Sequence, residues 1–169
     1  MTTPPLLTMS GGAVIVVALA LVVLAGAGLA GLRRALTVVD VEGRSMEPAL
    51  HAGDRVLVRR RPLERVRTGD IVVVEQHGLG RPGARLRAGS PRGRWVIKRV
   101  AGLPGDPVPE AVAGAVGAAP GSRVPRGRFV ALGDNPPLSF DSRACGYYAG
   151  DRVLGVVLRT VTTAGQRRR

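Results

Sequence analysis

Residues 1–32 contain no Asp, Glu, Lys or Arg, and from Gly11 to Leu32 the chain reads GGAVIVVALALVVLAGAGLAGL. An apolar run of this length leaves two readings, a membrane span or a secretion signal that is cut away. As α-helix it rises about 33 Å, enough to cross a hydrocarbon core about 30 Å thick. A cleaved signal needs a basic segment before a shorter apolar stretch, followed by a cleavage site. No Lys or Arg precedes the run, although its end, AGAGLAG, offers small residues. The expectation is a retained single-pass transmembrane anchor at about 11–32, within an N-terminal segment 1–34. Arg33 and Arg34 follow directly, and the positive-inside rule then puts the remainder in the cytoplasm.

Past Arg34 the pattern changes. ALTVVDV, DRVLVRR, GDIVVVEQ, RWVIKRVAG, RFVALGD and DRVLGVVLRTV are short runs rich in Val, Leu and Ile, punctuated by Gly, Pro and Asp. Such runs read as strands, and they lie too close together for βαβ units. No segment past residue 35 has the period of a long amphipathic helix. The fold class expected is mostly β, an antiparallel domain over 35–160. A basic tail, 161–169, ends in three arginines. Gln76–Gly93 and Pro107–Arg126 are rich in Gly, Pro, Ala or Arg and read as loose surface loops. There is no internal repeat.

The formal net charge of +13 calls for an acidic partner surface, and anionic lipid fits better than nucleic acid. The arginines are scattered, without aromatic interleaving or a nucleic-acid-binding signature. One cysteine, Cys145, excludes an intramolecular disulfide framework, and two isolated histidines, His51 and His77, give no zinc pattern. No metal or cofactor is expected.

Of 25 basic side chains only Lys98 is lysine, and it sits in the apolar run WVIKRVAGLPGD. Arginine cannot lose its proton in a protein, whereas lysine can once burial disfavours the ammonium form. A lysine base needs a hydroxyl or thiol to activate. Among six serines, Ser10 lies at the apolar run's edge, and Ser90 and Ser122 lie in the two loose loops. Ser45 stands apart, in VEGRSMEPAL directly after a strand, where a turn exposes a side chain on a rigid support. Gly43 permits a backbone conformation that aims amides at a carbonyl, and the Ser45 N–H is the expected oxyanion donor. His51 and His77 read as solvated loop residues rather than triad bases. A third cluster, ALGDNPPLSFDSRACG, ends a strand and brings Ser139, Asp141, Ser142 and Arg143 into one loop. Short polar side chains there either fix the loop by local hydrogen bonds or support the lysine.

Together these clusters resemble the type I signal peptidases, membrane-bound Ser/Lys endopeptidases of the S26 class. The Ser-Met-x-Pro box is met by Ser45-Met46-Glu47-Pro48, and Gly-Asp before an apolar strand by Gly69-Asp70-Ile71-Val72-Val73-Val74. Lys98-Arg99-Val100 precedes Pro104-Gly105-Asp106. Gly133-Asp134-Asn135 is followed by Ser139, Asp141, Ser142 and Arg143. The resemblance covers about 36–158 and includes the anchor. It implies a signal-peptidase-like antiparallel β catalytic domain with Ser45 as nucleophile and Lys98 as general base. It implies that Ser139 orients the lysine amine, that Asp141 and Arg143 stiffen the loop, and that Met46 packs near the serine and substrate. Arg99 and Ser142 belong to the same supporting set.

Three departures stand out. Gly43 occupies the position where some members carry a serine as second oxyanion donor. Pro136 and Pro137 replace the usual Arg and polar residue. The short interval between the lysine box and the last box indicates a minimal catalytic domain. The implied activity is removal of signal peptides from exported preproteins through an acyl-enzyme. Lysine titrates near 10.4 unperturbed, so lowering it by roughly 2 units means disfavouring the ammonium by about 2.7 kcal/mol. Expected partners are preproteins with small residues before the cut and anionic membrane lipid, with the enzyme a monomer. Alternatives are a maturation peptidase dedicated to one cargo, a self-cleaving repressor-like Ser/Lys protein, or a non-enzymatic membrane-anchored basic domain. The family places the catalytic domain outside the cytoplasm, against the Arg33-Arg34 flank, and the family placement is preferred.

Overall fold

The computed structural model describes residues 11–76 and 94–162. The chain divides into two units, 1–35 and 36–169.

In the first unit, α1 (Gly11–Ala35) is a single helix of 25 residues. Ala and Leu favour helix, and the many valines bring no polar group that needs a partner. Side chains are described continuously only for residues 15–28, all exposed. That stretch rises about 21 Å, and among the described residues no helix is long and apolar enough to cross a membrane. The expected span over 11–32 therefore has its helix, but not a described apolar length that reaches across a bilayer.

The second unit is antiparallel β, as the strand pattern predicts. Its strands are β1 (Leu36–Asp40), β2 (Arg55–Arg60), β3 (Ile71–Gln76), β4 (Arg94–Gly102), β5 (Arg128–Leu132), β6 (Tyr148–Ala149) and β7 (Val153–Thr162). Among the described residues they form a sheet of order β1-β2-β7-β3-β4-β5-β6. Every pairing is antiparallel. Six of these strands fall on the six apolar runs. β6 is two residues long and has no sequence signature. β7 reaches Thr162, so the first residues assigned to the basic tail belong to the sheet.

Side-chain alternation divides the interior between two faces. Val72, Val74, Val96 and Val100 pack with Phe129, Ala131, Tyr148, Val156, Leu63 and Val66. The intervening Val73 and Ile97 join Val39, Val41, Met46, Leu50, Val56 and Val58. With few aromatics the core is built from valine, and Phe129 and Tyr148 meet with ring centroids 5.6 Å apart.

The loop expected over Pro107–Arg126 is more ordered than its composition suggests. It carries α2 (Glu110–Val116), ended by Gly117 in the left-handed conformation, φ 61°. Val112 of α2 is buried with Val124 and Val130 in a third cluster, and a bridge joins Pro107 to Arg123. The other expected loop, apart from Gln76, lies outside the described residues.

Candidate active site

Lys98 lies mid-β4, opposite Val72 of β3. Alternation puts it on the same face as Val96 and Val100, and it is 3% exposed. Nζ donates to Ser45 Oγ at 2.9 Å, across 53 residues of sequence.

Ser45 stands at the head of a turn after β1. Glu47 N–H donates to Arg44 O (3.3 Å) and Leu50 N–H to Met46 O (2.9 Å), and the Glu47–Pro48 peptide is cis. Met46 anchors the turn by burying its side chain in the Val39–Ile97 core at 1% exposure. At Gly43 φ is not positive and a Cβ would meet nothing within 4 Å, so neither a left-handed backbone nor close approach requires glycine.

The Ser45 carbonyl is held from the opposite side. Asn135 N–H donates to Ser45 O at 2.9 Å and Asn135 Nδ2 to Arg44 O at 3.1 Å. Among the described residues the Ser45 N–H makes no hydrogen bond, so it is available to an incoming oxygen.

Residues 133–143 are built around Asp141, which is fully buried. Its Oδ2 accepts from Gly133 N–H (2.8 Å), Ser139 Oγ (2.5 Å) and Arg143 Nη2 (2.5 Å). Its Oδ1 accepts from Arg143 Nε (3.0 Å) and Arg143 N–H (3.1 Å), capping α3 (Ser142–Cys145). Burial alone would raise the Asp141 carboxyl. The hydrogen bonds from Arg143, Gly133 and Ser139 outweigh it and hold the group below the usual range. The expected Asp141–Arg143 pair is thus in contact. Ser142, also fully buried, accepts from Ala131 N–H at 3.0 Å and ties α3 to β5. Ser139 spends its single proton on Asp141, so toward an amine this hydroxyl acts as an acceptor.

Arg99, pointing to the other face of β4, forms a fork with Asp134 (Nε–Oδ1 2.8 Å, Nη2–Oδ2 2.6 Å). Its Nη1 donates to Gly69 O at 2.9 Å. The Asp134 hydrogen bond holds the guanidinium above its ordinary value. Nothing local in the sequence announces this pair, since its partners are 35 residues apart. Among the described residues no cluster of His, Cys, Asp and Glu is suited to a metal ion.

The family model for signal peptidase, peptidase S26, matches residues 12–115. The chain belongs to this family. The match includes Ser45 and Lys98 and ends before residues 133–143. Family membership makes the chain a serine peptidase of the signal-peptidase kind, acting on proteins that bear signal peptides. No curated protein is significantly similar to it.

Proposed function

We propose that this S26 peptidase cuts signal peptides from exported preproteins with a Ser45/Lys98 dyad. The observation that carries the reading is the 2.9 Å contact between Lys98 Nζ and Ser45 Oγ, made by a lysine that is 3% exposed. Hydroxyl and amine are in hydrogen-bond reach, the geometry a general base needs. Desolvation works against the ammonium, the form unable to act as base.

Neutral Lys98 takes the Ser45 proton as Oγ attacks the scissile carbonyl. The Ser45 N–H receives the developing oxyanion. The Lys98 ammonium then protonates the leaving amine, and water activated by the same lysine releases the acyl group. Ser139, its proton committed to Asp141, is the proposed acceptor that orients the lysine amine. Asp141, Arg143, Arg99 and Ser142 hold the loop against β4 and β5.

The proposal extends to a single-pass anchor. The 25-residue backbone of α1 rises about 37 Å, longer than the roughly 30 Å hydrocarbon core. Anionic lipid is the proposed partner of the chain's net positive charge of +13. The catalytic unit is placed outside the cytoplasm, where preproteins are cut. Protease protection in sealed vesicles tests the placement. Digestion of the β unit only in inverted vesicles would contradict it.

The catalytic reading is tested by cleavage of a precursor with an Ala-x-Ala site in detergent. The wild type cuts and Ser45→Ala does not. A Ser45→Ala variant with wild-type turnover would end the reading.

A further inference from the structure

We propose that Asn135 is a positioning residue that sets the oxyanion donor, an inference resting on the assignment of Ser45 as nucleophile. The Arg44 carbonyl and the Ser45 N–H belong to one peptide unit. That unit is planar and, when trans, its C=O and N–H point in opposite directions. Asn135 Nδ2 donates to Arg44 O at 3.1 Å. Together with the longer bond from Glu47 N–H to the same oxygen (3.3 Å), it fixes the direction of the Ser45 N–H, the group with no partner among the described residues. It also polarises the peptide, which strengthens the N–H as a donor. The Asn135 main-chain N–H pins the next peptide unit through Ser45 O at 2.9 Å. One residue thus orients the peptides on both sides of the nucleophile.

Asn135 is itself held firmly. Asp134 is forked by Arg99, and Gly133 N–H is bound to Asp141. Asn135 O accepts from Leu138 N–H at 3.1 Å at the start of the Pro136–Leu138 turn. With Gly43 in place of a second hydroxyl donor, the Ser45 N–H carries more of the oxyanion's stabilisation, and its aim matters more.

Asn135→Ala and Asn135→Asp both remove the donor to Arg44 O, and both retain the main-chain bond to Ser45 O. Cleavage of an Ala-x-Ala precursor peptide is measured alongside inhibition by a peptide aldehyde, which forms a tetrahedral adduct on Ser45 Oγ. Binding of the uncleaved peptide to the Ser45→Ala and Ser45→Ala/Asn135→Ala proteins gives the ground-state affinity. A donor aimed at the transition state affects kcat and not KM. The expected result is a kcat lower by about 10- to 100-fold, an aldehyde affinity weakened by a similar factor, and peptide affinity within about twofold. Asn135→Gln, which keeps the amide on a longer stem, recovers part of the loss. The proposal is overturned if Asn135→Ala keeps kcat within twofold of wild type, or if aldehyde and peptide affinities fall together. Persistent cleavage by Ser45→Ala would instead overturn the nucleophile assignment, and the positioning role with it.

Discussion

Gly133→Ala is expected to disable the enzyme without any change in chemistry. Gly133 does not have a positive φ, so alanine can adopt its backbone conformation. The obstacle is space. A Cβ at 133 would stand 2.6 Å from the Ser45 carbonyl oxygen and 2.6 Å from Ser139 Cβ. Ordinary contact begins near 3.4 Å, so these two atoms must retreat by about 0.8 Å and Ser139 Oγ, nearer still, by more. Neither has room to do so freely. Ser45 O is backbone held by Asn135 N–H, and Ser139 is held by Asp141. Overpacking of this kind costs about 1–3 kcal/mol of stability. A displacement of about 1 Å at a reacting group costs on the order of 100-fold in rate. Precursor cleavage in detergent is then expected to show kcat reduced about 100-fold, with a melting temperature lower by several degrees but a folded protein. Gly43→Ala is the control, since the space there is open. A Gly133→Ala enzyme with wild-type kcat would refute the claim that Ser45 and the 133–143 loop pack this tightly.

Gly43→Ser is expected to fold normally, with stability within about 0.5 kcal/mol of wild type by urea unfolding, and to raise turnover if its hydroxyl reaches the oxyanion. Asp141 gives a pH signature. Its folded carboxyl is depressed, so its stabilisation is complete above its unfolded value of about 3.9 and is lost as pH falls through the folded value. Urea midpoints taken from pH 7 downward should show an acid loss that is smaller in Asp141→Asn, which is less stable at neutral pH. For Arg99 and Asp134, a double-mutant cycle to alanine should give a coupling of about 1 kcal/mol or less, because the pair is partly exposed. Arg99→Lys should not restore it, since an ammonium cannot reproduce the fork and also reach Gly69 O.

The strands were legible because burial on alternate faces writes a period-two code. Six runs of Val, Leu and Ile mark six strands, and β6, with two residues, is too short to write one. The excursion over 107–126 hid its order, because its small core rests on Val112 meeting Val124 and Val130, a contact that no local period reveals. At the site, residue types in order were enough to single out Ser45, Lys98, Asp141 and Arg143. Two other contacts were not legible. Arg99–Asp134 and Asn135–Arg44 join residues far apart in sequence, and only the tertiary fold brings them together.

The central claim is that Lys98 serves as a base and not as a fixed cation. Precursor cleavage by purified Lys98→Arg tests it most directly, because arginine keeps the charge and cannot lose its proton. The account requires turnover no higher than that of Ser45→Ala, in a variant whose circular dichroism and melting curve show a folded domain. A folded Lys98→Arg enzyme that cleaves at even a tenth of the wild-type rate would contradict it.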